Sequence, residues 1–313
     1  MRLADKINPR LLRRFQPLPA HLGPAESAAV VDLGRMLFFD ARLSVDGQTS
    51  CDSCHDLDRY GVDGKATSTG FHQHHGKRNS PTVYNAAGFF SQFWDGRVAN
   101  VEAQAKEPIL NPDEMAMPDA AHVVKAVAQI PGYVGAFRRA FPAEESPITY
   151  DNVGRAIGAF ERGLVTPGRW DRFLAGDERA LSGDEKVGLK TFLDVGCVVC
   201  HTGPFLGGSM FERLGAVEPW PNQTDKGRGQ FTHRAADDMM FKVPTLRNVA
   251  KTAPYFHDGS AQTLDDAIRL MGKHQLGLEL TSDEVKAIGT WLGSLTGEIP
   301  AAYVKKPLLP DAR

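Results

Sequence analysis

CDSCH at residues 51–55 and CVVCH at residues 197–201 decide how this chain of 313 residues is read. The two motifs use all four cysteines, and each places a histidine directly after a Cys-x-x-Cys pair. That spacing is the attachment signature of c-type haem, in which two sulfurs form thioethers to the haem vinyls and the adjacent histidine reaches the iron. Two other chemistries use CxxC. A structural zinc built from two such pairs has no need of a histidine after each one. A thioredoxin-like redox pair occurs once, near a βαβ pattern that this sequence lacks. The expectation is two covalently attached haems, one on Cys51, Cys54 and His55 and the other on Cys197, Cys200 and His201.

A second repetition follows each motif. Residues 79–97, NSPTVYNAAGFFSQFWDGR, are echoed by residues 242–260, KVPTLRNVAKTAPYFHDGS. Pro81, Thr82, Asn85, Phe93, Asp95 and Gly96 recur at the same spacing as Pro244, Thr245, Asn248, Phe256, Asp258 and Gly259, while Trp94 is replaced by His257. His55 precedes Pro81 by 26 positions and His201 precedes Pro244 by 43, so the second module carries 17 extra residues before the shared line.

Working outward, residues 25–39 (AESAAVVDLGRMLFF) have apolar residues at spacings of three and four, as an amphipathic helix does, and a polar loop then delivers Cys51. Ser182 and Glu185 form a capping-box pattern ahead of a helix that ends where Gly196 precedes Cys197. Helix, loop, CxxCH is thus written twice. Thr281 and Glu284 make another capping box before VKAIGTWLGSL, expected to pack against the second haem, and residues 120–141 and 152–173 read as two helices flanking a proline-containing turn. Strand patterns are few, whereas Gly (31) and Pro (20) are abundant. The fold class expected is mainly α: two cytochrome c-like haem domains with long loops, spanning 1–167 and 168–313, with the C-terminal tail free to pack on the first.

A formal charge of −2 gives no electrostatic footprint for nucleic acid, and no apolar run approaches the ~20 residues of a membrane span. The opening MRLADKINPRLLRRFQPLP has basic residues but no apolar h-region, so it is not a secretory signal as it stands. Covalent haem attachment in bacteria takes place outside the cytoplasm. A periplasmic location is therefore expected, with the signal trimmed from this numbering.

The modules also differ in chemistry. The second offers Met271 in TLDDAIRLMGKHQLG, and a thioether can be the sixth ligand of an electron-transfer haem. The first has Pro108 at the matching offset and presents Gln104 and Glu114 instead. One iron reads as coordinatively closed and the other as open to a substrate.

With these residues in view, the chain resembles the bacterial di-haem cytochrome c peroxidases, a family that includes the MauG branch. The resemblance runs from LGRMLFFDARLS through QFWDGR, APYFHDGS and MGKHQLG to the final helix. It implies a peroxide-reducing haem on Cys51, Cys54 and His55, and an electron-accepting haem on Cys197, Cys200 and His201 with Met271 as the second iron ligand. It further implies Trp94 between the haems, His257 near the second haem's edge, and Glu114 with Gln104 as the acid-base pair of the peroxide pocket. A calcium ion held by Asn79 and the carbonyls of Thr252 and Pro254, between the domains, is implied as well; hard oxygen donors suit that ion. The partners it implies are hydrogen peroxide and a small cytochrome c or cupredoxin donor, with a homodimer left open. The chain departs from the family pattern at STGFHQHHG, residues 68–76. Many members place there a histidine that caps the first iron. Here that position is Phe71, so the His55 iron is expected to be open without prior reduction; the competing reading is that His72 ligates after a one-residue shift. Two other functions stay beside the peroxidase reading. A MauG-like enzyme would oxidise aromatic residues of a partner protein, although that branch has tyrosine in place of Met271, and a plain electron-transfer cytochrome would have no use for Glu114.

Overall fold

The computed structural model describes residue 7 and residues 9–311. The chain forms two compact units. One holds the first CxxCH motif and comprises His21–Gly88, Val98–Val165 and the described residues from Ile299 onward; the other holds the second motif and comprises the described residues up to Ala20, Phe89–Arg97 and Thr166–Glu298.

In the first unit, Ser27 caps the helix Ala28–Phe38, whose Val30, Leu33, Leu37 and Phe38 face the core. That helix crosses Tyr150–Glu161 so closely that a Cβ on Gly34 would meet the Ala156 carbonyl oxygen at 1.7 Å. Only glycine permits this approach. Pro131–Ala140 closes the core with Tyr133, Ala136 and Phe137. The second unit repeats the device. Gly183–Asp194 crosses Ser282–Gly293 at Gly188, where a Cβ would meet the Ala287 carbonyl oxygen at 2.0 Å. Both helices begin with the expected capping boxes, Ser182 with Glu185 and Thr281 with Glu284. The core around them is aromatic: Trp291 sits 4.5 Å from Phe192 and 5.5 Å from Trp170, and Phe15 lies 5.4 Å from Trp170.

Two stretches fall in the other unit from the one that a division at residue 167 gives them, and the C-terminal tail joins the first unit, each for a visible reason. Phe15 brings the N-terminal residues into the second unit's core, and the Gly203 N–H donates to the Arg14 carbonyl. Phe89–Arg97 is tied to that same unit by the Phe90 N–H on the Gly208 carbonyl at 2.9 Å and by the Lys242 N–H on the Trp94 carbonyl at 2.8 Å. The C-terminal residues belong to the first unit, where Tyr303 stacks on Phe160 at 5.2 Å and Arg42 donates to the Pro310 carbonyl.

Two expected helices are each split in two. Residues 120–141 form Ala120–Ala128 and Pro131–Ala140, because Pro131 has no N–H to continue the ladder but suits a helix's first position. Residues 152–173 form parts of Tyr150–Glu161 and Arg169–Leu174, separated by the stretch that contains Pro167 and Gly168. Among the described residues the strands are Phe211–Arg213 and Met240–Lys242, an antiparallel pair in the register Phe211↔Lys242, Glu212↔Phe241 and Arg213↔Met240. This pair is what the longer second interval builds. No described helix is long and apolar enough to cross a membrane.

Candidate active site

Cys51 and Cys54 lie on a single helical turn, Cys51–Cys54, with His55 at its C-cap. Burial pushes the Cys54 thiol up to about 11, with the charges of Asp63 and Glu114 adding to it, and burial pushes Cys51 higher still. In the second unit burial raises Cys197 to about 12 and shifts Cys200 in the same direction. All four sulfurs are free of disulfides. Such surroundings favour an uncharged sulfur, which suits a thioether and penalises a thiolate. The histidines fit the same group. His55 Nδ1 lies 3.3 Å from the Gly61 carbonyl and His201 Nδ1 lies 3.0 Å from the Leu206 carbonyl. A carbonyl only accepts, so the proton is on Nδ1 and Nε2 keeps a lone pair for a metal. Burial lowers both imidazole pKa values and keeps the rings neutral, as ligation requires. Each attachment segment therefore fits a covalent haem.

The repeated line explains itself at this level. The Pro81 carbonyl pulls on His55 and the Pro244 carbonyl on His201, each beside the bonds above. The Thr82 hydroxyl donates to the Tyr60 carbonyl at 2.7 Å, and the Thr245 hydroxyl to the Phe205 carbonyl at 2.6 Å. Asn85 and Asn248 both adopt φ 63°, Phe93 and Phe256 φ 65° and 69°, and Gly96 and Gly259 φ 65° and 63°. Thus the same residues make the same turns behind each histidine.

What differs between the copies is what the turn presents. His257 is buried, stacked on Phe241 at 4.4 Å, and meets the edge of Trp94 at 6.5 Å. Trp94, Phe256 and Met271 pack together against Trp220, Met239 and Phe241. Three residues singled out from the sequence, Trp94, His257 and Met271, are thus brought together in the unit that holds His201.

Glu114 is in the first unit on the tight turn after the helix Glu107–Leu110. Its Oε1 accepts from Asn111 Nδ2 at 2.8 Å, and its own N–H donates to the Asn111 carbonyl. Its charge is felt at Cys54, which sets it on the side of the first attachment turn. Gln104 ends the helix Val101–Gln104 and is half-buried. The divergent loop docks directly on the Glu114 turn: the Phe71 N–H donates to the Glu114 carbonyl at 2.8 Å, and a Cβ on Gly70 would meet the Asp113 carbonyl oxygen at 2.2 Å. Phe71 stacks on His72 at 3.9 Å, and His72 and Gln73 take φ 52° and 62°. Asn79 is in the first unit, donating to the Lys65 carbonyl, whereas Thr252 and Pro254 are in the second.

Sequence reading missed three polar residues that burial singles out. Lys242 is 8 % exposed, and its Nζ donates to the Ser91 carbonyl at 2.8 Å, holding the segment that carries Trp94. Burial lowers its pKa to about 7, against the pull of Asp95. The available signal was position, since Lys242 stands in the echo where Asn79 stands in the first line. His274 is buried three residues after Met271. Glu161 is 3 % exposed, and burial followed by the charge of Glu102 raises its pKa to about 8, with Arg162 pulling the other way. Between its ordinary 4.5 and about 8, the folded protein keeps a proton that the unfolded chain releases. Glu161 therefore makes stability fall as pH rises through that window. Glu161→Gln should flatten the fall, which urea midpoints measured at several pH values would show.

The comparisons with known proteins agree with this geometry. A family model described as di-haem cytochrome c peroxidase matches residues 28–179. The cytochrome c551 peroxidase of Nitrosomonas europaea is 45 % identical over 291 residues, covering 92 % of this chain and 85 % of that protein. The chain belongs to the di-haem cytochrome c peroxidase family. Among its other relatives, the cytochrome c551 peroxidase of Pseudomonas aeruginosa is 42 % identical, covering 98 % of this chain and 90 % of that protein. The methylamine utilization protein MauG of Methylorubrum extorquens is 38 % identical, over 81 % of this chain and 71 % of its own length. A crystal structure of a MauG-like protein associated with microbial copper homeostasis superposes with a TM-score of 0.81 at 28 % identity, covering 93 % of this chain and 97 % of that one. The family is a di-haem one, and the two CxxCH segments are the places where this member can hold the two groups.

Proposed function

We propose that this di-haem peroxidase reduces hydrogen peroxide to water in the periplasm, drawing electrons from a small cytochrome c or cupredoxin. The observation that carries this reading is the placement of Glu114, a half-buried carboxylate held by Asn111 beside the first attachment turn. When bound, the haems supply electron storage and an iron that peroxide can reach. The chain's residues do the rest. Glu114 takes the proton from one peroxide oxygen and returns it to the other as the O–O bond breaks, a transfer that needs a carboxylate within one hydrogen bond. Gln104 orients the peroxide. Reduction to two waters takes two protons and two electrons from outside. In the other unit Met271 would hold the second iron together with His201, and Trp94, packed against the same aromatic cluster as Met271, would pass electrons onward. Phe71 has no lone pair for iron and would leave the His55 iron accessible to peroxide, and His72 is the residue that would close it. The periplasmic location rests on the chemistry of covalent haem attachment.

Holoprotein mixed with peroxide and a reduced small cytochrome should consume the donor at a rate set by enzyme concentration. No turnover in a preparation with two haems would reject the peroxidase reading and leave the MauG-like and electron-transfer ones. Denatured holoprotein should retain two covalent haems per chain, and Cys197→Ala with Cys200→Ala should leave one; haem that acid acetone extracts would reject the attachment scheme.

A further inference from the structure

We propose that His274 and Gln275 are positioning residues for Met271, clamping the turn that carries its thioether onto the loop Arg213–Trp220. The inference rests on the reading of Met271 as the second ligand of the His201 iron. Helix Leu264–Leu270 ends at Met271, where the backbone widens into a π-helical turn, Met271–Gln275. Such turns are rare and gather at functional sites, because the wider ring gives up good hydrogen-bond geometry to re-aim a side chain. A methionine side chain has three rotatable bonds and gives the backbone little help in fixing its sulfur. Something outside the turn has to hold it.

The holding contacts are specific. The N–H groups of Val217 and Glu218 both donate to the His274 carbonyl, at 3.1 and 3.2 Å. The His274 ring is buried, with Nδ1 3.2 Å from the Glu218 carbonyl, and it meets Trp220 edge to face at 5.1 Å. Gln275 uses both ends of its amide: Oε1 accepts from the Gly215 N–H at 2.9 Å and the Ala216 N–H at 3.5 Å, and Nε2 donates to the Arg213 carbonyl at 2.8 Å. It thereby satisfies backbone groups at the end of the strand Phe211–Arg213 as a neighbouring chain would. Trp220, the ring His274 touches, belongs to the aromatic cluster against which Met271 packs. The clamp therefore fixes the turn's backbone from one side and the methionine's packing wall from the other. No catalytic group is involved. The effect is on where the sulfur sits and how constantly it stays there.

The test uses holoenzyme variants Gln275→Leu and His274→Phe, the latter retaining an aromatic ring against Trp220, with Gln275→Glu as the variant that keeps an acceptor for Gly215. Readouts are haem content, the thioether-to-iron charge-transfer band of the oxidised protein, and the reduction potential of the high-potential haem. Gln275→Leu and His274→Phe should retain two haems yet lose most of the band, and the potential should fall. Gln275→Glu should recover much of both. A folded two-haem Gln275→Leu and His274→Phe with the full band and the parent potential would overturn the proposal. Met271→Ala is measured alongside. If it keeps the band, the ligand reading itself fails; if it loses the band while the clamp variants keep it, only the clamp fails.

Discussion

Glu114→Gln is expected to lower peroxide turnover by roughly 10²–10⁴-fold, the range typical of a positioned general acid-base group, while leaving both haem spectra unchanged. The substitution is nearly isosteric. A glutamine oxygen can still accept from Asn111 Nδ2, and the backbone bond from Phe71 to residue 114 does not involve the side chain. The turn should therefore survive, and only the ability to take up and release a proton is lost. Single-turnover kinetics of the reduced enzyme with peroxide isolate this step from electron supply. Near-parent turnover would remove Glu114 from the mechanism and leave the proton transfer to another group.

The second large effect is on stability. Arg247 is 1 % exposed and donates to both oxygens of Asp171, at 2.8 and 2.9 Å, and to the Pro204 carbonyl at 2.8 Å. Asp171 in turn accepts from the Leu18 and Gly168 N–H groups. Arg247→Met should cost about 3–5 kcal/mol, because it leaves Asp171 without its cation in a largely buried setting. Replacing both partners, Arg247→Met with Asp171→Leu, removes that stranded charge but also the caps on Leu18 and Gly168, so recovery should be partial. Urea unfolding followed at the second haem would check it. A single variant within 1 kcal/mol of the parent would show that the pair is worth no more than an exposed one. In the first copy of the repeated line Tyr84 holds this position, and its hydroxyl donates to the Leu57 carbonyl. Both copies thus reach back to a carbonyl shortly after the motif histidine, one with a neutral hydroxyl and one with a guanidinium that is also ion-paired.

Much of this was legible in the sequence, because the relevant signals are local. CxxCH fixes three groups within five residues, a capping box needs four, and the repeated line preserves its own turns. Both capping boxes appear in the structure, and Asn85, Phe93 and Gly96 match Asn248, Phe256 and Gly259 in φ to within a few degrees. What was not legible depends on burial. Lys242 and Glu161 look like solvated charges until the chain around them is known. The split helices show a related limit: apolar spacing continues through Gln129 and Ile130, so periodicity alone joined helices that Pro131 separates. The π-helical turn at Met271 escaped for a different reason, since it is held by residues 213–218, which lie 56–62 positions upstream of their partners.

The strap of residues 299–310 has a consequence for the order in which the molecule can be made. Tyr303 reaches the Phe160 carbonyl with its hydroxyl and covers that ring, Val304 is buried in the same core, and Arg42 grips Pro310. During synthesis these residues emerge only after Thr166–Glu298, the greater part of the other unit. Domains ordinarily fold N-terminal first as the chain is extended. Here the unit that begins first must wait for its last piece, while the residues following Val165 can already settle around Trp170 and Trp291 with Phe15 long since available. The unit bearing Glu114 is therefore completed last, and a ribosome that stops before Tyr303 would release a chain whose second unit is whole and whose first is open.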